Sequence, residues 1–179
     1  MSGERLDQNA KDYTHSSLRE SIIEQLFVGK ILQELWKRDC FEVEVLKSQV
    51  DSAGYDLAID LSAMQKGGQP IVRHVQLKSS NDGGSRDSVN VSLRLAEKPN
   101  PCVIWIVVDK ELEFKSFRWF EFGSRQNFFD NFKIAKHTKA DSTGKKAQRP
   151  GHRVVPKTKF KHLATIKDVV DRLLSDSGT

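Results

Sequence analysis

The stretch that most constrains the fold of this chain is the almost wholly apolar run at residues 102–108, which ends in Asp109. A strand that lacks polar side chains has to be covered on both of its faces. The run therefore predicts a central strand of a sheet. A chain of 179 residues with 37% apolar side chains can bury one sizeable core, so a single domain is expected.

Two segments before this run are predicted to pair as a hairpin. Residues 54–61 and 71–79 alternate between apolar and polar side chains, and the turn-forming residues 64–70 lie between them. Alternation with a period of two is typical of strands, and Gly and Pro favour a turn. The strand at 102–108 is expected to pair beside this hairpin.

The hairpin is predicted to gather three polar side chains. Side chains two residues apart share a face of a strand, so Asp56 is expected to point away from the apolar row of its strand. By the same rule Gln76 and Lys78 share a face of theirs. Antiparallel pairing about the middle of the turn places Asp56 opposite about Leu77. A carboxylate, an amide and an ammonium group are therefore expected to converge.

A helix is predicted over residues 17–38. Ser17 and Glu20 have the spacing of a capping box at its start, and apolar residues then follow at helical intervals. Glu24 shares its stripe with Val28, Ile31 and Leu35, which is an unusual place for a carboxylate. Without a role at a site, Glu20 and Glu24 are only cap or solvated helix residues.

The remaining elements follow from similar patterns. Residues 89–95 alternate like a strand, but the pattern does not decide between strand and helix. The other predicted elements are strands at 41–45 and 111–122, a short helix at 124–132 and a closing amphipathic helix at 166–174.

The combination of Asp56 with Gln76-Leu77-Lys78 resembles the PD-(D/E)xK, or restriction-endonuclease-like, nuclease superfamily. The resemblance covers about residues 17–122. It implies an α/β fold, a mixed sheet of four to five strands flanked by helices, with a helix between residue 89 and residue 101. It also implies hydrolysis of phosphodiester bonds in nucleic acid, with DNA favoured over RNA.

The resemblance assigns a role to each site residue. Asp56, the Gln76 side chain and the Leu77 backbone carbonyl would hold Mg2+ or Mn2+, and Lys78 would orient or activate the attacking water. Glu24 would complete the metal site, with Glu20 as its substitute. Gln76 stands where Asp or Glu is commonest, and no proline precedes Asp56. The alternative is therefore a degenerate site that binds nucleic acid or a partner protein without cleavage.

A strongly basic segment at 133–161 follows. It has ten Lys or Arg residues against one acid, a net charge of +9 in a chain that totals +5. Its Gly and Pro residues argue against a long helix, so we expect a loop or mobile arm. Such a strip is typical of nucleic-acid binding, and a solubilising loop is the alternative. The candidate binding residues are Lys133, Lys136, Lys139, Lys145, Lys146, Arg149, Arg153, Lys157, Lys159 and Lys161. His137, His152 and His162 are expected to be surface residues.

The polar N-terminus and the composition indicate the extent of the domain and the cellular location of the protein. Residues 1–14 are predicted to be a polar tail on a single domain at 15–179. No stretch approaches the roughly 20 apolar residues of a membrane span, and Cys40 and Cys102 do not have the spacing of a zinc site. A cytoplasmic protein is expected. Cleavage of both strands of a duplex would favour a homodimer.

Overall fold

The computed structural model describes residues 14–49, 53–62, 71–122, 132–137 and 142–175. The helices in these ranges are α1 (Ser16–Trp36) and α2 (Ile166–Leu174). The strands are β1 (Glu44–Lys47), β2 (Leu57–Asp60), β3 (Val72–Asn81), β4 (Ser88–Ser92), β5 (Pro101–Val108), β6 (Phe114–Glu121), β7 (Ile134–Lys136), β8 (Gln148–Pro156) and β9 (Lys161–Leu163). Short 3-10 helices span Leu93–Glu97 and Lys157–Lys159.

The central sheet has six strands in the order β1-β2-β3-β5-β6-β9. The pairing of β3 with β5 is parallel, and the other pairings in this sheet are antiparallel. The prediction for residues 102–108 is confirmed, because all seven are buried in β5 between β3 and β6. The mixed α/β class is also confirmed. The predicted count of four to five strands is wrong, since the short strand β9 adds a sixth at the edge.

Strand β5 contributes to two separate cores. Its residues Ile104 and Ile106 pack in a core with α1 and α2, whereas Val103 and Trp105 pack in another core on the opposite face. Successive side chains of a strand point to opposite faces, so an uninterrupted apolar run supplies both cores. The helices cover one face of the central sheet, and a second sheet covers the other.

The second sheet has three antiparallel strands in the order β4-β8-β7. Residues 89–95, which the sequence left open, divide between β4 and the 3-10 helix Leu93–Glu97. Val89 and Val91 of β4 turn inward and are buried against the central sheet. The alternating segment therefore forms a strand here, because its apolar side chains can pack into the core between the two sheets.

The prediction that the basic segment 133–161 is a loop or mobile arm is wrong in the described residues. Strands β7 and β8 lie within it, and their Ala135 and Val155 are completely buried. Between these apolar anchors, Lys136, Lys145 and Lys146 are exposed. Pro150 lies where the pairing of β7 with β8 is interrupted, and such an irregularity accommodates a residue that cannot donate a backbone hydrogen bond.

Helix α1 begins at Ser16 with His15 as the N-cap residue, which makes no side-chain capping hydrogen bond. The predicted capping box of Ser17 is therefore wrong, because Ser17 lies inside the helix. The buried stripe consists of residues four apart, namely Ile23, Phe27, Ile31 and Leu35. Glu24 is adjacent to this stripe and not on it, which leaves its carboxylate partly exposed.

The other predicted elements agree with the structure or lie outside the described residues. The strand predicted at 41–45 is β1, which begins at Glu44, and 111–122 contains β6. Helix α2 has the predicted amphipathic character. The tail residues 1–13, the turn at 64–70 and most of the helix predicted at 124–132 lie outside the described residues. In the described ranges no helix is long and apolar enough to cross a membrane.

Candidate active site

A cleft opens where β3 continues beyond its neighbour β2. The pairing of the two strands begins at Leu57 opposite Val75, whereas β3 runs on to Asn81 along β5. Residues 77–81 therefore present one edge that β2 does not cover. The cleft there measures about 490 Å³ and is lined by Glu20, Ile23, Glu24, Asp56, Leu77, Lys78, Ser79, Arg86, Ser88, Val89, Asn90 and Arg149.

Asp56 covers the first part of this edge. Its backbone N–H donates to the Val75 carbonyl (2.9 Å), and its Oδ2 accepts a hydrogen bond from the Leu77 N–H (2.6 Å). The observed register aligns Asp56 with Gln76, so the predicted register is wrong by one residue. The N–H and C=O of one strand residue point to the same side. The Leu77 carbonyl therefore also points toward the cleft edge, beside the Asp56 carboxylate.

Lys78 is half-buried at the cleft. Burial is the largest influence on its ammonium group and lowers its pKa from the usual value, because removal from water disfavours the charged form. The carboxylates of Asp56 and Glu20 partly oppose this effect, while Arg86 and Arg149 add to it. The Lys78 amine thus lies between an acidic side and a basic side.

Gln76 occupies a different place from the one that the sequence suggested. Its side chain is only 7% exposed, and its Oε1 accepts a hydrogen bond from the backbone N–H of Ser92 (3.2 Å). It is not among the residues that line the cleft. The structure thus brings Asp56, the Leu77 backbone and Lys78 together, and directs the Gln76 amide toward the second sheet.

Helix α1 supplies the acidic wall. Arg19 donates to Ser79 Oγ (3.2 Å), which ties the helix to the cleft end of β3. Glu24 lines the cleft and forms an ion pair with Lys47 (2.6 Å). Glu20 is more exposed, and its charge acts on Lys78. Both candidate glutamates therefore face the cleft, but only Glu20 influences the Lys78 pKa.

The second sheet and the loop before it supply the basic wall. Arg149 of β8 lines the cleft, and its Nη2 donates to Nε2 of His152 (3.3 Å). Burial, followed by the charges of Arg149, Lys78 and His137, lowers the pKa of His152. Arg86 donates to the Ser79 carbonyl (2.9 Å) and also lines the cleft.

Sequence reasoning did not select Arg86 or His152 as site residues. The polar, Gly-containing composition before β4 is typical of a loop and does not single out Arg86. Nothing local signals that His152 approaches Lys78. Of the ten basic candidates, Arg149 alone lines the cleft, and Lys139 lies outside the described residues. Arg153 is half-buried, and the other seven are exposed, namely Lys133, Lys136, Lys145, Lys146, Lys157, Lys159 and Lys161.

The oxygen atoms at the cleft are those that Mg2+ or Mn2+ prefers, namely carboxylates and a backbone carbonyl. Within the described ranges, however, no three side chains of His, Cys, Asp or Glu are grouped closely enough to hold a metal ion. A site built from Asp56 and the Leu77 carbonyl would therefore leave several positions to water and substrate. No protein-family model matches the chain, and no curated protein is similar to it.

Proposed function

We propose that this protein is a metal-dependent nuclease of the PD-(D/E)xK type that hydrolyses phosphodiester bonds in nucleic acid. The observation that carries the proposal is the cleft in which Asp56 and the half-buried Lys78 lie between two glutamates of α1 and two arginines. A phosphodiester is an anion that needs positive charge for binding and a positioned water for hydrolysis. The cleft offers residues for both tasks.

The metal ion would be held by Asp56 and the Leu77 carbonyl, with Glu20 or Glu24 reaching it directly or through water. Mg2+ keeps several of its waters in protein sites, which suits a site with few protein ligands. The chemistry that such an ion supplies is polarisation of a phosphoryl oxygen and a more acidic bound water. Gln76 joins this set only if its amide leaves Ser92.

Lys78 would orient the attacking water and stabilise negative charge on the phosphate. Burial lowers its pKa, so its proton is more easily transferred than that of an exposed lysine. The carboxylates of Asp56 and Glu20 favour the charged form. A cation at this position would stabilise the negative charge that develops on the phosphate.

The basic wall would hold the nucleic-acid backbone. Arg149 and Arg86 line the cleft, and a guanidinium group can donate two parallel hydrogen bonds to a phosphate. The exposed lysines of β7, of the segment just before β8 and of the 3-10 helix after β8 extend positive charge beyond the cleft. Contacts of this kind bind every sequence similarly.

The first test is cleavage of supercoiled plasmid, linear duplex, single strands and tRNA in Mg2+, Mn2+ or EDTA. Asp56→Ala and Lys78→Ala are each expected to abolish cleavage while circular dichroism stays unchanged. Asp60→Ala is the matched control, because Asp60 is a carboxylate of the same hairpin that bonds Ser62 and does not line the cleft. Wild-type cleavage rates in the Asp56 or Lys78 variant would refute this assignment of the active site.

A second candidate function is a binding module that does not cleave. It is favoured by two observations, the hydrogen bond between Gln76 and Ser92 and the ion pair between Glu24 and Lys47, because each occupies a potential metal ligand. This candidate predicts affinity for nucleic acid or a partner protein that is the same in Mg2+ and in EDTA. Divalent-ion-dependent cleavage of any substrate in the first test would exclude it.

A further inference from the structure

Residues 92–95 form a joint between the second sheet and the central sheet. They include the last residue of β4 and the start of the 3-10 helix Leu93–Glu97. On the side of the central sheet, Gln76 Oε1 accepts the hydrogen bond of the Ser92 N–H in a buried environment. Gln76 lies two residues before Lys78 on the same strand, so the joint is attached close to the cleft.

The segment that leads into β2 approaches the same joint. A Cβ atom placed on Gly54 would lie 2.8 Å from Arg94 Cβ and 2.9 Å from the Leu95 backbone nitrogen. The backbone of Gly54 is therefore in close contact with the joint, two residues before Asp56. Asp56 thus lies two residues after Gly54, and Lys78 lies two residues after Gln76. Both Gly54 and Gln76 contact residues 92–95.

From the joint a chain of contacts leads to the basic wall. Ser92 is paired with His152 in the β4–β8 ladder, and His152 Nε2 accepts the hydrogen bond of Arg149. Arginine can only donate, so His152 has an unprotonated Nε2 in this contact. Arg149 lies at the cleft, and the irregularity of β8 at residues 150–152 separates it along the chain from His152.

We propose that Gln76 is a positioning residue, which docks the second sheet on the central sheet and thereby holds Arg149 at the cleft to bind a phosphate of the substrate. The inference rests on the proposed function, because it concerns the same cleft and the same class of substrate. It changes the role of Gln76 from metal ligand to acceptor for the Ser92 N–H.

Glutamine suits this role better than the commoner carboxylate. A buried neutral amide accepts a backbone hydrogen bond without the desolvation cost of a buried charge. Its length lets it reach from β3 to the end of β4 while the backbone of β3 stays paired with β5.

The test separates binding from cleavage. Affinity for a labelled duplex and a labelled single strand is measured by fluorescence anisotropy in EDTA at several salt concentrations. The variants are Gln76→Met, Arg149→Ala, the double variant and Gln76→Glu. Lys167→Ala is the matched control, since Lys167 is an exposed cation on α2, on the other side of the central sheet. Titration calorimetry with Mn2+ compares the wild type with Gln76→Met.

Gln76→Met and Arg149→Ala are each expected to weaken binding about tenfold, the loss of one charge-assisted hydrogen bond. Each flattens the salt dependence by about one unit of slope. The double variant binds no more weakly than Arg149→Ala, since both changes remove the same contact. Gln76→Glu keeps an acceptor but buries a charge, so its affinity is expected to lie between those of Gln76→Met and the wild type. Mn2+ affinity is unchanged in Gln76→Met.

Additive losses in the double variant would overturn the inference. So would a lower Mn2+ affinity of Gln76→Met with unchanged binding in EDTA, because Gln76 would then act on the metal. If Gln76→Met does not fold, Gln76→Asn takes its place under the same expectations, since its shorter amide cannot reach Ser92. A wild type without affinity for any nucleic acid would instead refute the proposed function, and the inference with it.

Discussion

Gly54 offers a sharp test of how the hairpin is held. Its φ is +81°, and a Cβ on it would meet Arg94 Cβ at 2.8 Å and both the Leu95 backbone nitrogen and Ser92 Oγ at 2.9 Å. Any L-residue is strained at this φ, and two of the three neighbours lie on or next to the backbone. Gly54→Ala therefore requires the joint at 92–95 to move away from the segment that leads into β2.

The cost can be worked out from these two effects. A left-handed conformation costs alanine about 1–2 kcal/mol, and an added methyl group in a packed place costs about 1–3 kcal/mol. Together they lower the free energy of unfolding by about 2–5 kcal/mol. In a protein of this size that corresponds to a decrease in Tm of about 10 °C.

Gly144 supplies the matched control. Its φ of +78° is nearly the same, but nothing lies within 4 Å of a Cβ placed on it. Gly144→Ala is therefore expected to cost only the conformational part, about 1–2 kcal/mol. The difference between the two variants measures the contact of Gly54 with the joint.

Both variants are compared with the wild type by thermal and urea unfolding, followed by circular dichroism. Because Gly54 lies two residues before Asp56, Gly54→Ala is also expected to lower cleavage activity, whereas Gly144→Ala does not act on the hairpin. Equal losses of stability in the two variants would refute the reasoning, since the close contact would then contribute nothing.

Three further predictions concern stability. Arg73→Met is expected to lose about 3 kcal/mol in urea unfolding, because the buried guanidinium donates to backbone carbonyls at the C-terminal end of α2; a loss below that of an average surface substitution would contradict this. Thr165→Ala removes the capping box of α2 and is expected to cost about 1 kcal/mol in the same assay. Burial and nearby cations lower the pKa of His152 below 6.5, so its contribution to stability is present above pH 6.5 and is lost as the pH falls through the folded-state pKa. His152→Gln should reduce this pH dependence, and an unchanged profile would exclude His152 as its source.

The role of Gln76 bears on how the resemblance to PD-(D/E)xK nucleases is interpreted. The resemblance assigns the first residue of the triplet to the metal, whereas the hydrogen bond to Ser92 directs this side chain toward the second sheet. A nuclease that keeps Asp56 and Lys78 at the cleft would then rely on the Leu77 carbonyl and on α1 for further ligands. This is why the Mn2+ titration of the Gln76 variants is informative for either proposed function.

The sequence by itself determined the features that depend on local periodicity. The apolar run at 102–108, the alternation around Asp56 and Lys78 and the 3.6-residue period at 166–174 each predicted an element that the structure contains. Such patterns can be read from the local sequence because side chains at regular intervals along a helix or strand lie on the same face of that element. They were sufficient to place Asp56 and Lys78 near each other, since the two strands are adjacent along the chain.

Only the tertiary structure decided the partners that are distant along the chain. The pairing of β4 with β8 joins residues 60 to 68 positions apart. It turns a predicted loop into a sheet that brings Arg149 to the cleft and His152 into contact with Arg149. The partner of Gln76 depends on the same packing. A local pattern indicates whether a side chain is buried, but it does not indicate which distant element covers that side chain. The covering element depends on how whole layers of helices and sheets pack together.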